Sequence, residues 1–439
     1  RRGFLMPRRA IHQPLRVFMN GRPVGVLLKE PSGAITFGYH ESWLEGESAI
    51  PVSLSLPLRE DPFKGPVVAA FFENLLPDSE ALRRRVSEKV GAEGTDAYSL
   101  LSRIGRDCVG ALQFLPEDEA PAASGKIEGR LAKDEEIEAM LLNLTQTPLG
   151  LDREKDFRIS IAGAQEKTAL LRHKGKWWKP TGTTPTTHIF KKQMGTLPNG
   201  LDLSNSIENE FYCLRLLAAF GLPVNHAEIS TFEKTKALVI ERFDRRWTDD
   251  HRLLRLPQED CCQALSTPPS RKYQNDGGPG IADILRLLQA GDSPAEDQKR
   301  FLKAQVVFCL IGATDGHAKN FSIFLGPLGR FRLTPLYDIL SAQPSLAASK
   351  IHKKQMRLAM FAGANRHYVV DRICGRHFIQ TAERAGVSAT LAKEALQEVI
   401  DQALPAKEAL EKTLPPDFPD FLHRTIWDGI AARLGNMRM

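Results

Sequence analysis

The sequence predicts a two-lobed α+β fold, β-rich in its N-terminal part and helical in its C-terminal lobe. Three observations carry that expectation. Short apolar–polar alternations with Gly turns open the chain, a strand-rich block with one helix runs from Arg158 to Phe243, and from Leu256 onward apolar residues recur at helical spacing. With 439 residues, 42% of them hydrophobic and 26% charged, there is enough apolar material for two or three packed units. Disorder over most of the length is excluded.

In chain order, LRVFMNGRPVGVLLKEPSGAITF from Leu15 to Phe37 alternates around Asn20-Gly21 and Ser32-Gly33, which predicts short antiparallel strands. A helical pattern follows from Val67 to about Val90, interrupted by Pro77. IGRDCVGALQFL, from Ile104 to Leu115, predicts a Gly-punctuated turn and strand, and the polar PEDEAPAASGKIEG after it predicts a surface linker. In the second block RISIAGAQEKTALLR predicts strand, Gly turn and strand, and HIFK and ALVIERF predict further strands. The helix between them is expected to start at Asn205, which stands three residues before Glu208 as in a capping box. Phe211, Leu214, Leu217 and Ala218 continue it until Gly221. IADILRLLQA, RFLKAQVVFCLIGA, LAKEALQEVIDQAL and FLHRTIWDGIAARL are the clearest helices of the C-terminal lobe. The expected division is a β-rich N-terminal subdomain (1–115), a linker and helix (116–150), an N-lobe with phosphate loop and hinge (151–246) and a helical C-lobe with the catalytic loop (247–439).

Lys and Arg number 59 against 53 Asp and Glu, a net charge of +6 that is too dilute for a dedicated nucleic-acid binder. Residues 350–376 concentrate Lys350, Lys353, Lys354, Arg357, Arg366, Arg372 and Arg376 against the single acid Asp371, which suits either phosphate contacts or a solvated basic face. The longest apolar run, VVFCLIGA, is under half of the roughly 18 residues a membrane span needs, so no membrane association is expected. Six scattered cysteines without a C-x-x-C pair suggest neither a disulfide framework nor a zinc site, and fit a reducing cytoplasm. The opening RRGFLMPRR lacks the apolar core of a secretory signal, and Met6 is a candidate start.

The chemistry concentrates in Thr314-Asp315-Gly316-His317-Ala318-Lys319-Asn320, between an apolar helix and the run Phe321 to Leu325. Asp315 and Asn320 have the D-x-x-x-x-N spacing of a kinase catalytic loop, where the Asp orients the acceptor hydroxyl and takes its proton and the Asn carbonyl oxygen binds Mg²⁺. Asp338, beyond a hairpin, is placed as the second metal-binding carboxylate. Mg²⁺ keeps several positions for water and phosphate, so one Asn and one Asp are enough protein ligands. A plain turn also suits Asp315-Gly316 and Asn320. One histidine next to the base, His317, does not make a triad.

The second segment is Ser160 to Thr168, where Ala162, Gly163, Ala164 and Gln165 let backbone N–H groups approach phosphate oxygens. It is not a Walker A loop, because Glu166 stands where the second Gly belongs, and a tight hairpin of small residues fits it as well. Lys191 is placed to reach nucleotide phosphates with Glu210 as its partner carboxylate, or both are surface charges. Glu241 and Phe243 end the strand block where backbone groups would meet adenine, or where a strand simply turns. The glycine run Asp276 to Gly280 reads as a helix-starting loop.

Taken together, SIAGAQEKTALL, TPTTHIFK, NEFYCL, ERFDRRW, RLPQED, DGGPGI, GATDGHAKN and LYD, with the earlier FFENLLPD and IGRDCVG, closely resemble the HipA-like kinases. These are the serine/threonine kinase toxins of bacterial HipBA toxin–antitoxin modules, and the match runs in order from about Leu15 to the C-terminus. The resemblance implies a protein-kinase-like fold using ATP and Mg²⁺. It makes Asp315 the catalytic base, Asn320 and Asp338 the metal ligands, and Ala162 to Gln165 the phosphate loop. Lys191, His317 and Lys319 become nucleotide contacts, Glu241 and Phe243 the hinge, and Ser160 the self-inactivating autophosphorylation site. It further implies a bacterial cytoplasmic protein with a HipB-like helix-turn-helix antitoxin, operator DNA reached through that complex, and glutamyl-tRNA synthetase as substrate. Another protein, lipid or metabolite acceptor, or a mainly corepressing role, stays open from the residues alone.

Overall fold

The structure, a computed structural model, describes residues 12–122, 126–151, 159–163, 165–197 and 199–438. Strands β1 (Leu15–Met19), β2 (Arg22–Lys29), β3 (Ile35–Tyr39) and β4 (Leu112–Leu115) form one antiparallel sheet in the order β3-β2-β1-β4. Alternation in β1 buries Leu15, Val17 and Met19. Asn20 and Gly21 join β1 to β2 with φ of 47° and 83°, the left-handed backbone that a two-residue hairpin needs. The short α1 (Glu41–Leu44) follows, and α2 (Pro66–Glu73), α3 (Glu80–Val90) and α4 (Ala97–Ile104) complete this part. Phe72 joins the layers by packing between Phe37 and Phe114. The break at Pro77 is real: Ser79 starts α3 afresh by accepting a hydrogen bond from the Leu82 N–H.

The second sheet has β5 (Gly129–Leu131), β6 (Lys167–His173), β7 (Lys176–Pro180), β8 (His188–Lys192), β9 (Ala227–Phe232) and β10 (Thr235–Glu241) in the order β5-β7-β6-β8-β10-β9. Helix α5 (Asp134–Leu142) buries Ile137 and Leu141 against Leu170, Phe190 and Val239 of this sheet. Helix α6 (Ser206–Ala219) packs on β9 and β10. Two expectations are corrected here. The first arm of the strand–turn–strand around Ser160 is no hairpin partner of β6, because Ile159 bridges to Asp107 and Gly163 to Pro77 of the N-terminal part; Arg158 and Ala164 lie outside the described residues. Asn205 makes no side-chain cap on α6; Gln193 supplies the acceptor, its Oε1 taking the Ile207 N–H at 3.1 Å, and Glu208 pairs instead with Lys236.

The C-terminal lobe is built on α7 (Cys261–Ala264), α8 (Ile281–Leu288), α9 (Pro294–Ile311), α10 (Gln343–Ala347), α11 (Gly375–Arg384), α12 (Ala389–Glu411) and α13 (Asp420–Met437). Around them lie the hairpin β11 (Arg245–Trp247) and β12 (Leu253–Arg255), the sheet β13 (Gln258–Asp260), β14 (Ser322–Leu325) and β15 (Phe331–Leu333), and the pair β16 (Arg357–Ala362) and β17 (His367–Val369). These strands are too short to leave a period in the sequence. Helix α9 is the axis of the lobe, packed by α8, α12 and α13, with every residue from Ala304 to Ile311 buried. No helix of the described residues is long and apolar enough to cross a membrane.

Candidate active site

A cavity of about 610 Å³ opens where the three parts meet. Strand pairing sets its roof: Lys167 of β6 stands directly across from Lys191 of β8. Lys191 Nζ donates to both Glu210 oxygens, at 2.7 and 2.9 Å, and to Asp338 Oδ1 at 2.5 Å. Burial opposes the charge on Lys191, but the two carboxylates outweigh it and hold the ammonium protonated. For Glu210 burial dominates and pushes its carboxyl up despite Lys191. Asp338 is pushed up by burial too, yet Lys191 and Lys167 bring it below the usual carboxylate range, so it is an ionised hard-oxygen donor. Its backbone sits in the left-handed region, φ 57°, a conformation that costs a non-glycine residue about 1–2 kcal/mol.

Ala162, Gly163 and Gln165 line the cavity; Ala164 is outside the described residues. Gly163 has φ 104°, a backbone that favours glycine, and Lys167 passes beneath the loop, its Nζ donating to the Ala162 carbonyl at 3.0 Å. Burial and the neighbouring Lys191 bring the Lys167 ammonium down to about 8. Ser160 lies behind the loop rather than in the cavity, fully buried, with Oγ donating to the Leu75 carbonyl at 2.8 Å.

Gly312 ends α9 in a left-handed turn and delivers the Thr314–Asn320 loop to the cavity floor. Asn320 Nδ2 donates to the Asp315 carbonyl at 2.8 Å and reaches the Asp338 carbonyl at 3.5 Å. Its amide N–H groups are thus committed to the two loops, and no donor meets its Oδ1 among the described residues. Asp315 keeps a side-chain exposure of 58% and receives the Tyr273 hydroxyl at 2.5 Å. His317 is buried, which lowers its basicity, and its Nδ1 has no partner among the described residues. Lys319 pairs with Asp78 at 2.5 Å, and Lys272 meets the other Asp78 oxygen at 2.7 Å. These two lysines overcome the burial of Asp78 and keep it ionised.

At the far wall Ile240, Arg242 and Phe243 line the cavity, whereas Glu241 is exposed and outside its lining. The Glu241 N–H is also spent, donated to the His226 carbonyl at 2.9 Å, so of its backbone groups only the carbonyl suits a hinge. The Phe243 N–H has no partner among the described residues, and its ring leans on Phe324 and Tyr337. Sequence reasoning assigned no role to Asp78, Lys167, Lys272 or Tyr273. Asp78 does close the FFENLLPD run that contributes to the family resemblance, and this run is the one signal that pointed to it.

The residues fit a nucleotide with Mg²⁺. The uncommitted Asn320 Oδ1 and the ionised Asp338 are the hard oxygen donors Mg²⁺ takes, and Ala162 and Gly163 line the same cavity beside Lys167 and Lys191.

A strand-borne lysine paired to a helix-borne glutamate, above a D-x-x-x-x-N loop and a further aspartate, defines a two-lobed phosphotransferase of kinase class. The family model for the HipA-like C-terminal domain matches residues 159–407 and that for the HipA N-terminal domain matches residues 15–115. The chain therefore belongs to the HipA-like kinase family. It is 34% identical over 400 residues to the Sinorhizobium fredii protein named Putative kinase Y4mE, covering 89% of this chain and 90% of that one. It is 30% identical over 320 residues to the serine/threonine-protein kinase toxin HipA of Shewanella oneidensis, covering 70% of each. The fold is that of Shewanella oneidensis HipA solved with HipB and operator DNA, with a TM-score of 0.78 at 24% identity over 95% of this chain and 96% of that one.

Proposed function

We propose that the chain is an ATP- and Mg²⁺-dependent protein serine/threonine kinase acting as the toxin of a toxin–antitoxin pair. The observation that carries this reading is the Lys191 bridge between Glu210 and Asp338, in one cavity with Asp315 and Asn320. Mg²⁺ would be held by Asn320 and Asp338 and would neutralise charge on the phosphates. Lys191 and the backbone around Gly163 orient the phosphates, and the Phe243 backbone and the Glu241 carbonyl are the groups left for adenine. Lys319 and His317 flank the transferred group. The acceptor oxygen bonds to the γ-phosphorus as the bond to the ADP oxygen breaks, and Asp315 takes the acceptor proton.

Glutamyl-tRNA synthetase is the proposed substrate, and a HipB-like helix-turn-helix antitoxin on operator DNA the proposed partner. The fold shared with the HipA of the Shewanella complex supports the partner, and so do the seven exposed Lys and Arg side chains of residues 350–376. Ser160 is the proposed self-phosphorylation site. A phosphate of charge about −1.5 to −2 has no room where Ser160 Oγ now meets the Leu75 carbonyl, which supports loss of the loop's position on modification. The test is transfer of label from γ-labelled ATP to purified glutamyl-tRNA synthetase, with and without its tRNA. Asp315→Ala should lower the rate by roughly 10²–10⁴-fold with ATP binding largely kept; equal labelling by wild type and variant would remove Asp315 from its role.

A further inference from the structure

The glycine run at 276–280 has no part in the proposed function, yet it lies under the segment that carries Tyr273. The Tyr273 carbonyl accepts from the N–H groups of Asp276 and Gly278, each at 3.0 Å. A Cβ on Gly278 would stand 1.9 Å from the Arg271 carbonyl oxygen and 2.9 Å from that of Tyr273, so only glycine closes this loop. On one side Lys272 is tied to Asp78; on the other Gln274 accepts the Phe361 N–H at 2.9 Å. Tyr273 therefore stands on a short loop braced against two other segments of the chain.

The phenol reaches the reacting group. Its hydroxyl donates to Asp315 Oδ1 at 2.5 Å, and its ring meets His317 edge-on, with centroids 4.9 Å apart. His317 Nε2 approaches the same Oδ1 at 3.9 Å, and among the described residues no donor meets Oδ2. The Asp315 carbonyl is fixed by Asn320, but that bond leaves the carboxylate free to turn about its own axis. An exposed carboxylate that turns presents its base lone pair to the acceptor only part of the time.

We infer that Tyr273 is a positioning residue for phosphoryl transfer: by holding Oδ1 it fixes the Asp315 carboxylate so that Oδ2 faces the acceptor hydroxyl. The inference rests on Asp315 as the base. A braced loop suits a fixed anchor, whereas a hydroxyl that is itself to be phosphorylated has to reach the γ-phosphate and then leave.

The test measures label transfer from γ-labelled ATP, both to glutamyl-tRNA synthetase and to the chain itself, for full-length wild type, Tyr273→Phe, Gly278→Ala and Asp315→Ala. Tyr273→Phe should lower kcat by roughly 10- to 100-fold with the KM for ATP and the melting temperature unchanged, and Gly278→Ala should lower kcat in the same direction. An unchanged or raised kcat in Tyr273→Phe beside an inactive Asp315→Ala overturns the inference and leaves the kinase reading standing. A changed KM for ATP with normal kcat also overturns it, as does phosphate found on Tyr273 by mass spectrometry. Equal transfer by wild type and Asp315→Ala removes the base assignment itself, and this inference with it.

Discussion

Lys191 is the residue on which the cavity's charges turn. It is buried with Glu210, it reaches the half-buried Asp338 at the cavity wall, and Lys167 stands opposite, so two cations and two anions meet at one end of the cavity. Lys191→Met keeps much of the volume and removes the cation. Glu210 and Asp338 are then left near each other with only Lys167 between the signs, and breaking a buried pair this way costs about 3–5 kcal/mol. The expected outcome is loss of phosphate transfer together with a lower denaturant midpoint; a variant as stable as wild type would mean that Glu210 takes up a proton at little cost. The residues the cavity gathers from local motifs, Asp315, Asn320, Asp338, Lys191 and Glu210, were legible because their chemistry sits at readable spacings beside apolar runs. Asp78, Lys272 and Tyr273 come from segments far apart in the chain, and nothing in local periodicity tells that Asp78 will meet Lys319.

At the scale of the element, β8 and α6 must keep a fixed relation, since one carries Lys191 and the other Glu210. Gln193, just past the end of β8, makes that link: its Oε1 accepts the Ile207 N–H in the first turn of α6, and its Nε2 donates to the Ser204 carbonyl. The sequence pointed to Asn205 because Asn and Glu three apart are a frequent start signal. Asn205 has φ −115° and ψ 34°, and its side chain accepts no bond from the helix. Side-chain capping from a preceding strand leaves no spacing rule, which is why the helix was legible and its cap was not. Gln193→Ala should cost about 0.5–2 kcal/mol in urea unfolding and reduce transfer by loosening the Lys191–Glu210 distance, while Asn205→Ala should stay within about 0.5 kcal/mol of wild type. The reverse ranking would return the cap to Asn205. The Asn20-Gly21 turn of the first hairpin and Gly221 at the end of α6 were readable for the opposite reason, because a left-handed backbone selects its own residues.

Across the whole molecule the parts are joined by buried polar groups of opposite pH behaviour. Asp107 of the N-terminal part meets Arg242, Arg245 and Arg255, which outweigh its burial and hold it below the carboxylate range. That contribution is present above the unfolded value, near 3.8, and is lost as pH falls below it. Glu259 of β13 joins the same two parts differently, accepting the Leu54 N–H at 2.8 Å and the Ser53 hydroxyl at 2.5 Å with no ion pair among the described residues. Burial pushes its carboxyl from 4.5 up to about 8. Between those values the unfolded chain releases a proton that the folded chain keeps, so stability is full below about 4.5 and declines as pH rises toward 8, by up to about 1.4 kcal/mol per pH unit. Glu259→Gln retains both contacts: the amide oxygen accepts from Leu54, and the amide nitrogen donates to Ser53, whose hydroxyl is free to turn to Ser55. The variant carries no proton to lose at this position. Urea unfolding at a series of pH values should therefore show it gaining on wild type from pH 5 to 8. A difference that stays flat across that range would mean Glu259 ionises inside the protein as readily as outside, and that the contact with Ser53 and Leu54 holds a carboxylate rather than an acid.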